Sequence, residues 1–535
     1  MKLLLTLLIF LLHQSILKSQ IIQNWVGRYG NTVNSAYTVA GPVIDKSGNV
    51  FVGGSVTTAT LTDYVTIKYN SSGAEEWSRV YTGLIEHRLI DMVLDNTGNL
   101  YVTGLSENMT GTYDIITIKY NTFGDSLWVK RYNGATAFTM DQPVAMDIDA
   151  SNNVYVTGYS FGSIPMSYVT IKYSPQGDSL WVARFVSDGT DLSRDIYIDN
   201  EGNAIVYARG TRIIKYDTNG NVLWNRTYSF DASEFNKVLT GDASGNIYFT
   251  GTKFSSTFDD FAVVKLNSNG DISWSQVRNG FGGTAPTHDD ARAICVDNSG
   301  NVFITGEIYE ATGFYNFSTI KYNSSGIFQW ERNYSHPQSG DGGNDIVCDN
   351  SGNIYVTGGS NDFTTIKYNT NGDSLWVIKY SGSANMNDLN SAIAIDNSNN
   401  IYITGRSQIS QSPAKFEIAT VKYSQTITNI SSEVNSEKSF KLYQNYPNPF
   451  NPNTKINYEL PASRQGGQIT NYVSLKVYDV SGNEISTLIN QKQNSESYSV
   501  EFDGDNLPSG VYFYKIEIIS DREIYSDVKK MILLR

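Results

Sequence analysis

The chain has 535 residues, with 40 Lys+Arg against 53 Asp+Glu and a sequence pI near 4.9. A net charge of −13 argues against a nucleic-acid partner, because neutralising phosphates requires a basic face. Apolar residues at 40% exclude a disordered chain, and two Cys exclude both a disulfide scaffold and a Cys-rich zinc protein.

Residues 1–19 read as a secretory signal peptide. Lys2 gives a short basic start, Leu3 to Leu12 form an apolar run too short to span a bilayer comfortably, and a polar stretch with small Ser19 follows. Cleavage is placed near Ser19/Gln20. No later segment has 18 consecutive apolar residues, so the mature chain is expected to be soluble, without a transmembrane segment.

A turn of the form Asp-x-x-Gly-Asn, twice Asp-x-x-Asn-Asn, starts at Asp45, Asp95, Asp149, Asp199, Asp242, Asp297, Asp349 and Asp396, a period of about 50 residues. In most copies a strand such as Asn-Ile-Tyr-Val-Thr-Gly follows. Next comes one like Thr-Ile-Lys-Tyr, holding Lys68, Lys119, Lys172, Lys215, Lys265, Lys321, Lys367 or Lys422. A last strand carries Trp77, Trp128, Trp181, Trp224, Trp274, Trp330 or Trp376; the eighth Trp, Trp25, precedes the first turn. Lys to the next Trp is nine residues wherever both follow in order, whereas turn Asp to Lys varies from 16 to 26. Each repeat therefore predicts four antiparallel strands, A to D, with fixed A–B and C–D hairpins at one end and variable B–C and D–A connections at the other.

Short antiparallel sheets repeated in this way predict an all-β, eight-bladed β-propeller over 20–423. Seven blades plus an irregular unit is the competing count. No Trp follows Lys422, so the strand holding Trp25 is expected to complete the last blade and remove an exposed edge. The stretches DNSGNIYVTG and DFTTIKYNTNGDSLW, within 349–376, resemble β-propeller repeats of the SBBP type. That resemblance covers about 45–423 and implies a propeller common in secreted bacterial proteins, with no single activity. The seven blades that family's name implies differ from the eight counted here.

The Asp-x-x-Gly-Asn unit reads as a hairpin turn, with a calcium loop as the competing reading; no other cofactor is expected. The Trp residues, each with an aromatic four residues on except where Arg278 follows Trp274, are expected to pack between blades. The equivalent Lys residues are expected to lay their stems along apolar surface with solvated heads. Cys295 and Cys348 fall on A strands of adjacent repeats, with side chains on opposite sides of their blades, and unpaired buried thiols are favoured over a disulfide.

His87, His288 and His336 lie in D–A connections, with acidic Asp290 and Asp341 nearby in the sequence, and they mark the face with variable loops as the ligand face. The competing reading is scattered exposed loop residues. Asp91, Asp195 and Asp345, each four residues before a turn Asp on an inner strand, are candidates for binding a cation at the channel mouth. Neither a nucleophile elbow nor a phosphate loop occurs, so no enzyme is expected. The leading reading is an exported binding protein for a glycan or protein. The alternatives are a glycan-active propeller enzyme or a quinoprotein-like one, which would share the Gly-x-x-x-Trp spacing of Gly124 to Trp128 but lack the adjacent Cys pair.

Residues 424–438 are polar and aperiodic and read as a linker; 439–535 read as a small β-sandwich, with a hairpin at 473–489 and an alternating strand at 510–518. This segment closely resembles the type A C-terminal sorting domain of type IX secretion in Bacteroidetes-like bacteria. The resemblance rests on Tyr446-Pro447-Asn448-Pro449-Phe450-Asn451-Pro452, on Val477-Tyr478-Asp479 before the Gly482-Asn483 turn, on Leu507-Pro508-Ser509-Gly510-Val511-Tyr512, and on the basic, apolar C-terminus. It implies passage through the Sec system and the outer membrane, contact with the type IX machinery, removal of the domain, and release or attachment at the cell surface.

Overall fold

The computed structural model describes residues 19–535 apart from 31–34, 58–60, 84–85, 109–110, 135–139, 162–166, 187–192, 209–211, 229–230, 233–237, 255–258, 279–288, 310–314, 335–341, 360, 385, 428–440, 461–469, 480–483 and 521–522. The signal peptide, bar Ser19, lies outside the described residues. Two compact units divide near residue 428.

In the first unit eight antiparallel sheets follow one another, seven of four strands and one of five. Each inner strand contacts the inner strand of the next sheet, and Ser35–Ile44 of the first contacts Asp388–Ile395 of the eighth, so the series closes into a ring. The middle strands are buried on both faces because each blade packs against two neighbours. Val50–Thr57 and Tyr113–Tyr120, for example, have no exposed residue. Their Val, Ile and Tyr residues suit such a surface. The Gly of the Thr-Gly pair gives close approach: a Cβ at Gly104 would collide with the Tyr64 hydroxyl of the preceding blade. The fifth blade departs from the pattern, its inner strand split into Asp231–Ala232 and Leu239–Gly241, both paired with Ile247–Phe254.

The eighth sheet takes its outer strand from the N-terminus. Ser19–Tyr29 pairs antiparallel with Ala414–Ile427 and sets Trp25 opposite Lys422, as Trp77 stands opposite Lys68 in the first blade. Arg28 Nη1 donates to Glu417 Oε1 at 2.9 Å across this seam. The strand Ala414–Ile427 also corrects the linker boundary. Residues 424–427 are strand, because Ser19 to Ile22 supply their pairing partners; polar composition hid this. Residues 428–438 of the expected linker lie outside the described residues.

The repeated Lys and Trp form one junction device. Lys68 Nζ and Trp77 Nε1 both donate to the carbonyl of Thr122, in the C–D turn of the next blade, at 3.0 and 3.1 Å. Lys119 and Trp128 share Pro175 O, Lys172 and Trp181 share Thr218 O, Lys265 and Trp274 share Ser324 O, and Lys321 and Trp330 share Thr370 O. Lys422 and Trp25 share Ser71 O and so tie the eighth blade to the first. Most of the indoles also meet rings on both sides, as Trp128 meets Tyr101 of its own blade and Tyr173 of the next, 5.7 and 6.0 Å away. The turn glycine makes room: Gly124 has φ +82°, and a Cβ there would come within 2.7 Å of the Trp77 ring.

The expectation of solvated lysine heads is therefore wrong. Lys119, Lys172 and Lys215 are buried. Their ammonium groups stand 3.4, 3.4 and 2.8 Å from the carboxylates of the turn residues Asp95, Asp149 and Asp199. Lys119 and Lys172 also lie over tyrosine rings at 4.7 and 4.8 Å. A buried cation needs such partners.

The two cysteines are joined as Cys295–Cys348, with Cα atoms 6.3 Å apart, and are not free thiols. Side chains on opposite sides of their own blades, when the blades are neighbours, face the same gap. The expected geometry is thus the one a disulfide needs, and the bond covalently ties the sixth and seventh inner strands.

In the second unit a three-stranded sheet (Lys441–Leu442, Asn453–Glu459, Ser497–Asp503) and a four-stranded sheet (Glu484–Asn494, Thr470–Tyr478, Gly510–Ser520, Glu523–Leu533) share one core. Phe450, Ile456 and Phe502 pack there with Leu475, Ile516 and Leu533, giving the expected sandwich.

Candidate functional site

At the hairpin end, the turn Asp is committed to the backbone. Asp149 Oδ1 accepts the N–H groups of Ser151 and Asn153, both at 2.9 Å, and Oδ2 accepts the Asn153 amide at 2.8 Å and the Tyr155 hydroxyl at 3.1 Å. Burial alone would raise the pKa of Asp149, but these donors and Lys172 hold it below the usual carboxylate range; Asp199 behaves likewise. This is the geometry of a hairpin turn.

The inner strands line a cavity of about 650 Å³ along the ring's axis, reached by Ala40, Asp91, Asp147, Asp195, Asn344 and Asp345. The three predicted acids, with Asp147 added, do one job here. Asp91 accepts the N–H of Met92 and that of Met146 on the next inner strand. Asp147 does so with Ile148 and Ile198, Asp195 with Ile196 and Leu239, and Asp345 with Ile346 and Ile393. Each carboxylate bridges two blades through backbone donors at 2.7 to 3.0 Å. Among the described residues no three His, Cys, Asp or Glu side chains converge as metal ligands.

Burial pushes the Asp147 carboxyl up to about 6 and Asp195 to about 7, against the pull of their backbone donors. A carboxyl whose folded pKa is raised binds its proton better in the folded state. Stability is then highest near the unfolded value of about 4 and falls as pH rises through 6 to 7. His87, lowered by burial, acts oppositely, losing stability as pH falls below its ordinary value of 6.5. Asp388 and Glu417, also raised by burial, act in the same sense as Asp147 and Asp195. The melting temperature is expected to rise as pH falls from 8 to 5, by the equivalent of roughly 2–4 kcal/mol, and Asp195→Asn should flatten that slope. An unchanged slope in the variant would remove Asp195 from the account.

At the variable-loop end the junctions differ from one another. His87 is the first residue of His87–Leu94, not part of an exposed loop. It is buried, with Tyr64 and Tyr81 edge-on at 6.3 and 5.4 Å, and its ring nitrogens have no hydrogen-bond partner among the described residues. Its register, opposite Ser106, matches that of Asp141 opposite Ser160 and Asp388 opposite Ser407. Those acids accept the N–H groups of Gly134 and Gly382 and so hold the D–A connection. His87 takes this place in the second blade, against Gly83. The signal was legible: a Gly after the strand-D Tyr and an Asp a few residues on recur.

Asp290 is half-buried at the start of Asp290–Val296, 4.0 Å from Arg292 Nε. Arg292 occupies a β-bulge in that strand, pairs with Glu307, and donates from Nη1 to Asn344 Oδ1 of the next blade at 3.0 Å. Tyr309 and Tyr315 form an edge-on pair in the same blade, centroids 5.2 Å apart. In the second blade Glu86 accepts from Tyr113 at 2.9 Å and pairs with Arg88. Sequence reasoning missed Arg88 and Arg292; in Arg292's case nothing local marks the bulge that it occupies. His288, His336 and Asp341 lie outside the described residues.

In the second unit the Tyr-Pro-Asn-Pro-Phe segment clasps the last strand. Ile532 N–H donates to Asn448 Oδ1, Phe450 N–H to Ile532 O, and Leu534 N–H to Phe450 O, at 2.9, 2.9 and 3.0 Å. Pro447 O accepts from Thr454 Oγ1 at 2.8 Å, and Pro449 lies between the Asn448 and Phe450 anchors. Tyr512 donates to Pro508 O at 2.8 Å. Tyr446 is 79% exposed. Nothing in the structure explains a glycine at 510.

Comparison with known proteins agrees with both units. Residues 444–533 match the model of the secretion system C-terminal sorting domain, and 209–437 match that of the outer membrane protein assembly factor BamB, a repeat propeller. An uncharacterized WD repeat-containing protein of Acanthamoeba polyphaga mimivirus is 27% identical over 18% of this chain, which spans 8% of that relative's length. Among solved structures, BamB from Moraxella catarrhalis aligns over 73% of this chain and 99% of its own, at 11% identity and TM-score 0.44. PorZ, a surface component of the type IX secretion system of Porphyromonas gingivalis, aligns over 93% and 81%, at 13% identity and TM-score 0.30. No helix among the described residues is long and apolar enough to cross a membrane. With its motif residues clasped into one sandwich, the segment 444–533 is a type IX secretion sorting domain, and it directs this β-propeller protein to the cell surface or the extracellular space.

Proposed function

We propose that the propeller is a non-enzymatic binding protein, of the SBBP kind, which holds a glycan or protein ligand at its variable-loop end and needs no cofactor. The observation that carries this reading is the unequal use of the two ends. At the hairpin end the same Asp, Lys and Trp groups are spent on the same scaffold bonds, blade after blade. At the other end charged and aromatic groups differ between blades: Arg292 with Glu307 and the Tyr309/Tyr315 pair in one, Glu86 with Arg88 and Tyr113 in another. Recognition uses such variation on a rigid frame. Gly124 and Trp128 of the Gly-x-x-x-Trp spacing pack and bond between blades, so that spacing does not by itself favour the quinoprotein-like alternative.

Glycan and peptide binding screens on the mature chain test this. For any ligand found, Arg292→Ala or Asp290→Ala should weaken binding by about tenfold or more, since a lost charge-assisted hydrogen bond costs roughly 1.5–3 kcal/mol. Asn353→Ala, in a hairpin turn, should leave affinity unchanged. The opposite order would move the site to the hairpin end.

A further inference from the structure

We propose that the junction between the seventh and eighth blades is the joint at which the ring opens, and that Gln425 is its lock. Seven junctions carry a hydrogen bond from Trp Nε1, six of them with a second from Lys Nζ, to a backbone carbonyl in the next blade's C–D turn. The eighth blade has no such turn, because its outer strand comes from the other end of the chain: Ala414–Ile427 and Ser19–Tyr29 run on side by side where other blades reverse. The seventh blade therefore has no turn carbonyl to reach.

A side chain stands in. Lys367 Nζ donates to Gln425 Oε1 at 2.6 Å, while Gln425 Nε2 donates to the Tyr355 hydroxyl at 2.9 Å and to Asn399 O at 2.8 Å. The substitute serves only the lysine. Trp376 Nε1, the equivalent of the indoles that bond elsewhere, is buried without a hydrogen-bond partner among the described residues. One junction of eight thus replaces a backbone acceptor with a rotatable amide and leaves its indole donor unmatched, which costs stability there.

The inner corner of this junction stays tied, Ile393 N–H donating to Asp345 Oδ2 at 2.9 Å. The eighth blade is itself firm, its two outermost strands paired from Ser19 opposite Ile427 to Tyr29 opposite Ile418, and it is bonded to the first blade through Trp25 and Lys422. Opening is therefore a splaying of the outer, hairpin-end corner between Ser374–Tyr380 and the eighth blade, hinged at the inner strands.

Amide hydrogen exchange on the full chain, read peptide by peptide, tests the proposal. Ser374–Tyr380 should exchange roughly tenfold faster than its counterparts Ser126–Tyr132 and Ser179–Val186. Gln425→Ala should speed exchange in the seventh and eighth blades and nowhere else, and Gln425→Glu, which keeps an acceptor for Lys367, should restore most of the difference. Equal exchange of the three outer strands in the unaltered chain would overturn the proposal. A Gln425→Ala effect spread evenly over all blades would overturn the role of Gln425 as lock.

Discussion

Removing residues 19–29 is expected to leave the propeller unit aggregated or with its melting temperature lowered by more than about 10 °C. The deletion strips the outer strand from the eighth sheet and exposes the whole edge of Ala414–Ile427, a template for pairing with another chain. It also removes the Trp25 half of the closing contact, since Trp25 donates to Ser71 O and its ring packs 5.7 Å from Tyr69 of the first blade. Loss of that ring alone costs about 3 kcal/mol by comparison with other large-to-small substitutions. The loss of Arg28 leaves Glu417 without its cation, and burial already pushes the Glu417 carboxyl up. Size-exclusion chromatography and thermal unfolding check the outcome, with Trp25→Ala as the milder variant. A truncated chain that stays monomeric and melts unchanged would mean that the ring closes without this strand.

The sequence made this closure legible because it is written in spacing. A Trp without a preceding Lys at one end and Lys422 without a following Trp at the other describe one blade divided between two termini. The nine-residue Lys-to-Trp interval likewise reported a fixed hairpin, and the two residues do stand opposite each other in the sheet. What spacing could not report was destination. Lys119 has the same sequence environment whether its head is in water or against Asp95 and Pro175 O, and only the packing of the next blade decides between them. Propensity scales that place lysine outside describe the isolated strand. The cysteines show the same limit in another form. Parity along the strand is visible in the sequence, but its meaning depends on whether two blades are neighbours across a gap, which is tertiary information.

The candidate site was legible only in part. That one end varies while the other does not can be read from loop lengths. Which residues face the channel cannot, because a β-bulge in most inner strands shifts the alternation by one and re-aims every side chain beyond it. Asp91, Asp195 and Asp345 stand out as a set by their distance from the turn; their use as clasps between blades requires the neighbour's N–H groups. Asp147 performs the same task two residues nearer its turn, so no fixed offset would have found it.

A foreign folded protein given a signal peptide and residues 428–535 is expected to reach the cell surface or medium in a host with type IX secretion, whereas the same fusion carrying Phe450→Ala is expected to remain in the periplasm. The fusion begins at 428 because 424–427 belong to the propeller's last strand. The sorting unit keeps its own core, so it does not need the propeller to fold. Phe450 is the side chain on which that core and the clasp of the last strand meet. Its ring packs 6.0 Å from Phe502, while its N–H and C=O bond Ile532 and Leu534. Truncating a buried Phe costs roughly 3–5 kcal/mol, a large share of what a domain of this size has to spare. Asn448→Ala, which removes only the side-chain clasp on Ile532 N–H, is expected to lower export less, in proportion to one hydrogen bond of about 1 kcal/mol. Immunoblots of medium, surface and periplasmic fractions read the result, with thermal unfolding of the purified fusions as a check on folding. Retention of the unaltered fusion while an established sorting-domain control is exported would show that 428–535 is not a sufficient address. Normal export of the Phe450→Ala fusion with its sorting unit unfolded would show that the machinery reads the chain and not the sandwich.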